Sequence, residues 1–322
     1  MIRRSAMAAM AFAMLAPLGA LAQPGDWPTR NVRILVGSAP GGGTDAMARA
    51  VADRLGPLLK QPVIVENRPG VSNTLAADAT AKATDGHTMV MGVVTAHAIA
   101  PHLLKLNYDN NRDLVPVAFV GAVPNVLVVT GGLPADSVQA LVALAKKEPG
   151  KINYASSGAG STQHIAAEMF RDAAGIDIVH VPYKGSSAAL VDLVGGQVQM
   201  SFDTMPSVIG QIKNGKIRAL AVTSPKRNPQ LPNVPTMAEA GLPAVEVSAW
   251  YGIYMPASTP KAVQDRVHDE VNKVLAMPET RTRLEAVGAE ITPTSQAQFI
   301  AFQNAEYKRY GDIIRKNQIR ID

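Results

Sequence analysis

The segment Val32-Arg33-Ile34-Leu35-Val36-Gly37-Ser38-Ala39-Pro40-Gly41-Gly42-Gly43-Thr44-Asp45 decides the fold. An apolar run long enough for one strand ends in a glycine-rich loop. A pattern of helical spacing follows, with Met47, Ala50, Val51 and Leu55 on one face. The same grammar returns at Ile152-Asn153-Tyr154-Ala155, which leads into Ser156-Ser157-Gly158-Ala159-Gly160-Ser161-Thr162-Gln163-His164. A strand that feeds a Gly/Ser/Thr loop and then a helix gathers unpaired backbone N–H groups and a positive dipole end at one point. That arrangement suits a carboxylate or a phosphate. Two such loops predict an anionic ligand gripped from two sides.

Outward from the first loop, Thr44 or Asp45 is expected to cap a helix from Ala46 to Leu59. Pro62 to Val65 reads as a second strand, Thr74 to Ala83 as an alanine-rich helix, and Thr88 to Val93 as a third strand. A second block begins near Pro124. Its strands are Val126 to Val129, Ile152 to Ala155, Ile178 to Pro182, Val198 to Phe202 and Arg218 to Val222. Its helices are Ser137 to Lys147, Ile165 to Ala174 and Ala188 to Val194. Pro225 to Pro235 reads as surface loop. Thr259 is expected to cap a helix from Lys261 to Leu275, and helices Pro278 to Val287 and Gln296 to Arg315 follow. Strands alternating with helices define an α/β class with a parallel sheet, here in two lobes, the last helices packing back on the first. Ligands of such sheets sit outside the carboxyl ends of the strands, where both glycine loops lie.

Arg3 and Arg4, the apolar stretch from Ala6 to Leu15 and the small residues Ala20-Leu21-Ala22 have the form of a secretory signal peptide over residues 1–22, cut between Ala22 and Gln23. The apolar stretch is shorter than the roughly 20 residues a spanning helix needs, and no later stretch reaches that length. The chain contains no cysteine, which excludes disulfides, thiolate nucleophiles and cysteine-held metals. A formal net charge of +5, without a basic tract or aromatic platform, gives no case for nucleic acid. Six histidines lack metal-ligand spacing, so neither metal nor cofactor is expected.

Enzyme motifs are scarce. Gly158-Ala159-Gly160 begins a dinucleotide pattern, but Gln163 takes the third glycine place. Ser258-Thr259-Pro260-Lys261 matches Ser-x-x-Lys, yet Pro260 at a helix start makes it a cap. An exported α/β enzyme acting on a small acid would have to use His164 with Ser156 or Asp203.

Further landmarks are Val65-Glu66-Asn67-Arg68-Pro69-Gly70, Asp85-Gly86-His87-Thr88, Pro182-Tyr183-Lys184-Gly185, Val234-Pro235-Thr236-Met237-Ala238-Glu239-Ala240-Gly241 and Trp250-Tyr251-Gly252. With the two glycine loops, and in this order from Trp27-Pro28 almost to the C-terminus, they resemble the tripartite tricarboxylate transporter receptors, the Bug family of periplasmic solute-binding proteins. The resemblance implies a type II-like Venus flytrap fold with two crossover strands and a ligand cleft between lobes. Lobe 1 would hold residues 23–125 and 248–322 and lobe 2 residues 126–247, with crossovers near Val123-Pro124 and Val247-Ser248. It implies a periplasmic, non-enzymatic receptor for a small carboxylate, whether di- or tricarboxylate, amino acid or aromatic acid. The partner would be the membrane transporter subunits, with a sensor kinase as the alternative, and a monomer is expected. One stretch departs from the family: in Gly70-Val71-Ser72-Asn73-Thr74-Leu75-Ala76, Asn73 and Ala76 stand where glycines are common, so Ser72 and Asn73 alter the pocket wall.

Ala39, Gly42, Gly43 and Thr44 of the first loop are expected to meet the ligand. Asp45 is expected to cap, because a carboxylate would repel an anion, or else to reach a ligand amine or a bridging water. Bulky side chains at Gly42 or Gly160 should block binding and spare the fold. In the second loop Ser156, Gly160, Ser161 and Thr162 offer amides and hydroxyls, hydroxyls that serve equally as helix caps. His164 either donates to the ligand or satisfies a local backbone group. Thr95, after the third strand, is a contact, whereas His97 is structural. Lys184 sits in a strand-to-helix turn as a counter-charge or a solvated surface residue. Asp203, also at a carboxyl end, would face an ammonium or orient a water. Trp250, with Tyr251, either walls the cleft or packs in the hinge.

Overall fold

The computed structural model describes residues 27–321; the signal segment and the cut before Gln23 lie outside the described residues. The first elements are β1 (Val32–Val36), α1 (Gly43–Leu59), β2 (Val63–Asn67), α2 (Thr74–Ala81) and β3 (Thr88–Val93). A π-helical turn at Thr95–Ile99 then runs into α3 (Ala100–Leu103). Next come β4 (Leu114–Thr130), α4 (Val138–Lys147), β5 (Asn153–Ser156), α5 (Thr162–Ala174), β6 (Val179–Pro182), α6 (Ser186–Val194), β7 (Met200–Thr204), α7 (Met205–Lys213) and β8 (Ile217–Val222). The chain ends with β9 (Ser248–Pro256), α8 (Lys261–Ala276), α9 (Pro278–Ala286) and α10 (Gln296–Lys316).

The strands join in the order β2-β1-β3-β9-β4-β7-β5-β6, with β8 also on β4. β1, β2 and β3 are parallel, as are β5, β6 and β7, while β4 and β9 run antiparallel to their neighbours. The sheet is therefore mixed, not purely parallel. β4 is the join. From Leu114 to Pro124 it pairs with β9, and from Asn125 onward it pairs with β7 and β8. β3 is buried along its whole length, and β1 is apolar and buried except at Arg33, which reaches Asp85 at the surface.

Sequence reading found only Val126 to Val129 of the 17-residue β4. Pro116, Gly121 and Pro124 interrupt the apolar pattern of its first part, and proline removes a ladder donor. The strand absorbs these residues with register shifts between Pro116 and Ala118 and between Phe119 and Gly121. α7 was not predicted, and at β9 the resemblance implied only a crossover near Val247-Ser248. α1 starts at Gly43 with Gly42 as its cap, so neither Thr44 nor Asp45 caps it. α8 is capped by Pro260, and the Thr259 carbonyl accepts instead from Gln264 Nε2 at 2.8 Å.

The C-terminal helices pack back on the first strands: α8 on α1 and β4, and α10 on β4 and the turn at Thr95–Ile99. Trp250 is fully buried there, edge-on to Phe299 and Phe302 of α10, with its Nε1 donating to Glu306 at 3.2 Å. Among the described residues no helix is long and apolar enough to cross a membrane.

Candidate functional site

A cavity of about 760 Å³ opens where the carboxyl ends of β1, β3, β5, β6 and β7 meet. Five helices begin on its wall, one of them α2, whose N-cap is Asn73. Gly42, Gly43 and Thr44 open α1, Ser161, Thr162 and Gln163 open α5, Gly185 and Ser186 open α6, and Thr204 opens α7. The first amides of a helix lack intrahelical partners and carry its positive dipole end. Side-chain caps are sparse here: those of α1, α6 and α7 form no cap hydrogen bond, and only Ser161 of α5 accepts, from His164 N at 3.3 Å. Sequence reading anticipated the helices after the two glycine loops, as anion sites, and the helix after the Tyr183-Lys184-Gly185-Ser186 turn, as a strand-to-helix turn only. The start of α7 was missed, although Thr204-Met205-Pro206 carries a signal of the same kind, with proline in the first turn.

The first loop is rigid by construction. Asp45 turns away from the cavity, accepting from Gly41 N at 3.0 Å, Arg49 Nε at 3.0 Å and Asn67 Nδ2 at 2.9 Å. Burial opposes its ionisation, but these donors outweigh burial and hold its carboxyl below the usual range. Gly41 makes the turn at φ +81°, a conformation that suits glycine. Gly43 allows close approach, since a Cβ there would lie 2.8 Å from Thr204 Oγ1 and 3.2 Å from Tyr251 Oη.

Ala39, Gly42, Gly43, Thr44, Thr95, Ser161 and Thr162 line the cavity, as do Lys184 and Tyr251. Five of the expected contacts do not. Ser156 is fully buried, its Oγ bonded to His180 Nε2 at 2.7 Å and accepting from Gly158 N at 3.1 Å. Gly160 gives its N–H to His164 Nδ1 at 3.1 Å. His164 lies behind the loop, its ring stacked on His180 at 4.2 Å, and His180 stacks in turn on Tyr154 at 4.8 Å. Burial pushes both imidazoles down to about 4, so both are neutral at ordinary pH and His164 acts as a backbone acceptor. Trp250 points to the α10 side of β9, while Tyr251, its neighbour on the opposite face, reaches the cavity. His97 is buried as expected, stacked on Tyr254 and bonded to Asn110 Oδ1 at 2.6 Å.

Asp203 sits one layer behind the wall. Its Oδ1 accepts from Gln163 Nε2 at 3.0 Å, Ser186 Oγ at 2.8 Å and Thr204 N at 2.7 Å. Complete burial outweighs these donors and raises its pKa. The same contacts orient three cavity-lining residues, all of which sequence reading missed: Gln163, Ser186 and Thr204. Gln163 Oε1 in turn accepts from Ser157 Oγ at 3.0 Å and Thr162 Oγ1 at 3.3 Å. Among the described residues that line the cavity, Lys184 is the charged one.

This is the two-lobed fold of periplasmic solute-binding proteins, with the ligand cleft at the strand ends. The family model described as "Tripartite tricarboxylate transporter family receptor" matches residues 47–319, and the chain belongs to that family. BugT of Bordetella pertussis is 37% identical over 298 residues, covering 92% of this chain and 91% of BugT. The solved structure of R. palustris Rpa4515 with adipate superposes with a TM-score of 0.89 at 36% identity, covering 92% of this chain and 99% of that one. MatC from Rhodopseudomonas palustris with bound malate gives 0.85 at 31% identity, covering 89% and 100%. The chain is thus a solute-binding receptor of the tripartite tricarboxylate transporter class.

Proposed function

We propose that the protein is exported by its N-terminal signal, binds a small carboxylate in the cavity described above and delivers it to membrane transporter subunits of the tripartite tricarboxylate type. The observation that carries this reading is the convergence of five helix N-termini on one cavity. Backbone donors at helix starts offset the desolvation of an anion, which is very costly when left unpaired. The bound adipate of Rpa4515 and malate of MatC support the ligand class.

We infer lobes of residues 23–125 with 248–322, and 126–247, because β4 changes partner between Pro124 and Asn125. Closure of the lobes on the ligand is a population shift driven by contacts made only in the closed state. The site is read as non-catalytic. Ser156 and His180 are paired like a nucleophile and a base, but Ser156 is sealed from the cavity.

The test is a thermal-shift screen of residues 23–322 against mono-, di- and tricarboxylates and amino acids. A ligand at 100 times its Kd adds about 2.7 kcal/mol of stability, a readily seen rise in Tm. Stabilisation by one or more carboxylates supports the reading. Stabilisation by uncharged solutes alone overturns it.

A further inference from the structure

The segment that follows α10 is fixed in place and runs against the ligand cavity. α10 closes in a Schellman motif. Gln318 takes the left-handed backbone at φ 50°, and its N–H donates to the Arg315 carbonyl at 3.3 Å. Ile319 N donates to the Ile314 carbonyl at 3.0 Å. Glycine is usual at the left-handed position. Gln318 stands there instead, and the apolar pair of the motif, Ile319 and Ile314, is buried in the core. Segments of this kind fray unless tied down. This one is pinned two residues before Ile321, which lines the cavity.

The seat of α10 explains where Ile321 comes to lie. Gly311 lets α10 press on α3, since a Cβ there would stand 2.7 Å from His102 Cε1. His102 Nε2 donates to the Tyr307 carbonyl at 2.8 Å. α3 leads through Leu103 to Leu104, a second apolar residue of the cavity lining. Leu103, Ile321 and Ser72, itself left-handed at φ 54°, converge on the second glycine loop. A Cβ on Gly160 would lie 3.2 Å from Leu103 Cδ1, 3.4 Å from Ser72 Oγ and 4.0 Å from Ile321 Cγ2. The helix starts offer hydrogen-bond donors to the cavity. The side chains of Leu104 and Ile321 offer methyl groups alone.

We propose that Ile321 is a specificity-determining residue: with Leu104 it forms an apolar wall that limits the length of the ligand's carbon skeleton. This rests on the carboxylate reading given above. Carboxylate groups take the helix-start amides, and the carbon skeleton takes the wall that makes no hydrogen bond. A skeleton that is too short leaves a gap beside the two side chains and forfeits burial and contact. One that is too long must displace Ile321, and with it a segment anchored by the buried Ile319.

The experiment titrates residues 23–322 calorimetrically with straight-chain mono- and dicarboxylates of three to ten carbons, using the parent, Ile321→Ala and Ile321→Trp. In the parent, affinity should peak at one length and fall at least tenfold within two added methylenes, since one methylene in an apolar pocket is worth roughly tenfold or more. Ile321→Ala should move the peak at least one carbon longer, and Ile321→Trp at least one carbon shorter. Ile321 is half-buried, so the Tm without ligand should stay close to the parent's and the moved peak is read on a folded chain. A peak at the same length in all three proteins overturns the inference and leaves the carboxylate reading standing. So does an equal loss at every length, the mark of a residue that only helps the cavity to close. Binding by none of the panel overturns the inference, and the wider thermal-shift screen then decides whether the carboxylate reading falls with it.

Discussion

Ser72 Oγ donates to the carbonyl of Ala159 at 2.6 Å, joining the turn before α2 to the second glycine loop across 87 residues of chain. Ser187 Oγ does the converse, reaching from α6 to the Pro40 carbonyl of the first loop at 3.2 Å. Each glycine loop is therefore tied to the opposite half of the molecule by one serine. On the proposed two-lobe reading, these bonds belong to the closed arrangement.

Ser72→Ala removes the shorter tie and leaves the left-handed backbone as it was. A net hydrogen bond is worth about 0.5–1.5 kcal/mol. Ligand affinity should fall about two- to tenfold, with the unliganded Tm nearly unchanged, because the bond is lost on opening in both proteins. Calorimetry and a melting curve check this. An affinity equal to the parent's would mean that the tie does not contribute to closure.

Gly43→Ala tests the close approach of α1 to β7. The added methyl would meet Thr204 Oγ1 at 2.8 Å and Tyr251 Oη at 3.2 Å. Overpacking of this kind costs about 1–3 kcal/mol, and here the cost falls on the closed state. Affinity should drop about tenfold or more while the Tm without ligand holds, since alanine favours the helix that Gly43 begins. Adding Thr204→Ala should recover part of the loss. Full affinity in Gly43→Ala would remove Gly43 from the closing contact. Gly160 is the poorer target, because its φ of +73° makes any side chain there a strain on the backbone.

The order of strands and helices was legible because each apolar run is bounded by glycine, proline or a capping residue. What was illegible has a physical reason in each case. β9 alternates its faces, so Trp250 and Tyr251 look alike in sequence, and only the packing of Phe299 and Phe302 decides that Trp250 is core. The glycine loops could be found, but which of their polar groups face the ligand depends on residues distant in sequence. Ser156 is claimed by His180, Gly160 by His164 from within the following helix, and Asp203 by Gln163 and Ser186. Gln163 was discounted as a failed dinucleotide glycine, although its amide organises Ser157, Thr162 and Asp203 on one wall.

Lys184→Gln separates backbone binding from simple charge attraction. Lys184 is exposed at the cavity wall, and an exposed ion pair is worth about 0–1 kcal/mol. Affinity should fall no more than about fivefold, and its dependence on salt should weaken. A loss of about a hundredfold would make Lys184 the principal anchor and demote the helix starts. Titrations at low and high ionic strength distinguish the two.

Acid should weaken both the fold and the binding through the stacked histidines. Burial holds His164 and His180 at about 4, whereas a free histidine titrates near 6.5. Between these values the unfolded chain takes up protons that the folded chain refuses. Stability is therefore complete above about pH 6.5 and is lost as the pH falls toward 4, by up to about 3 kcal/mol per histidine. His97, pushed to about 4 by burial, adds a contribution of the same sign. Glu168 favours the charged form of His180, but Arg171 opposes a cation on His164. A protonated His164 can no longer accept from Gly160 N, so the second glycine loop loses its anchor and ligand affinity should decline in the same window. Urea denaturation and ligand titration at pH 7, 5.5 and 4.5 measure both effects. His180→Gln keeps a partner for Ser156 and removes one titrating ring, so its stability should vary less with pH than the parent's. A parent protein equally stable at pH 7 and 4.5, or a variant with an unchanged slope, would show that the histidine stack does not govern the response to acid.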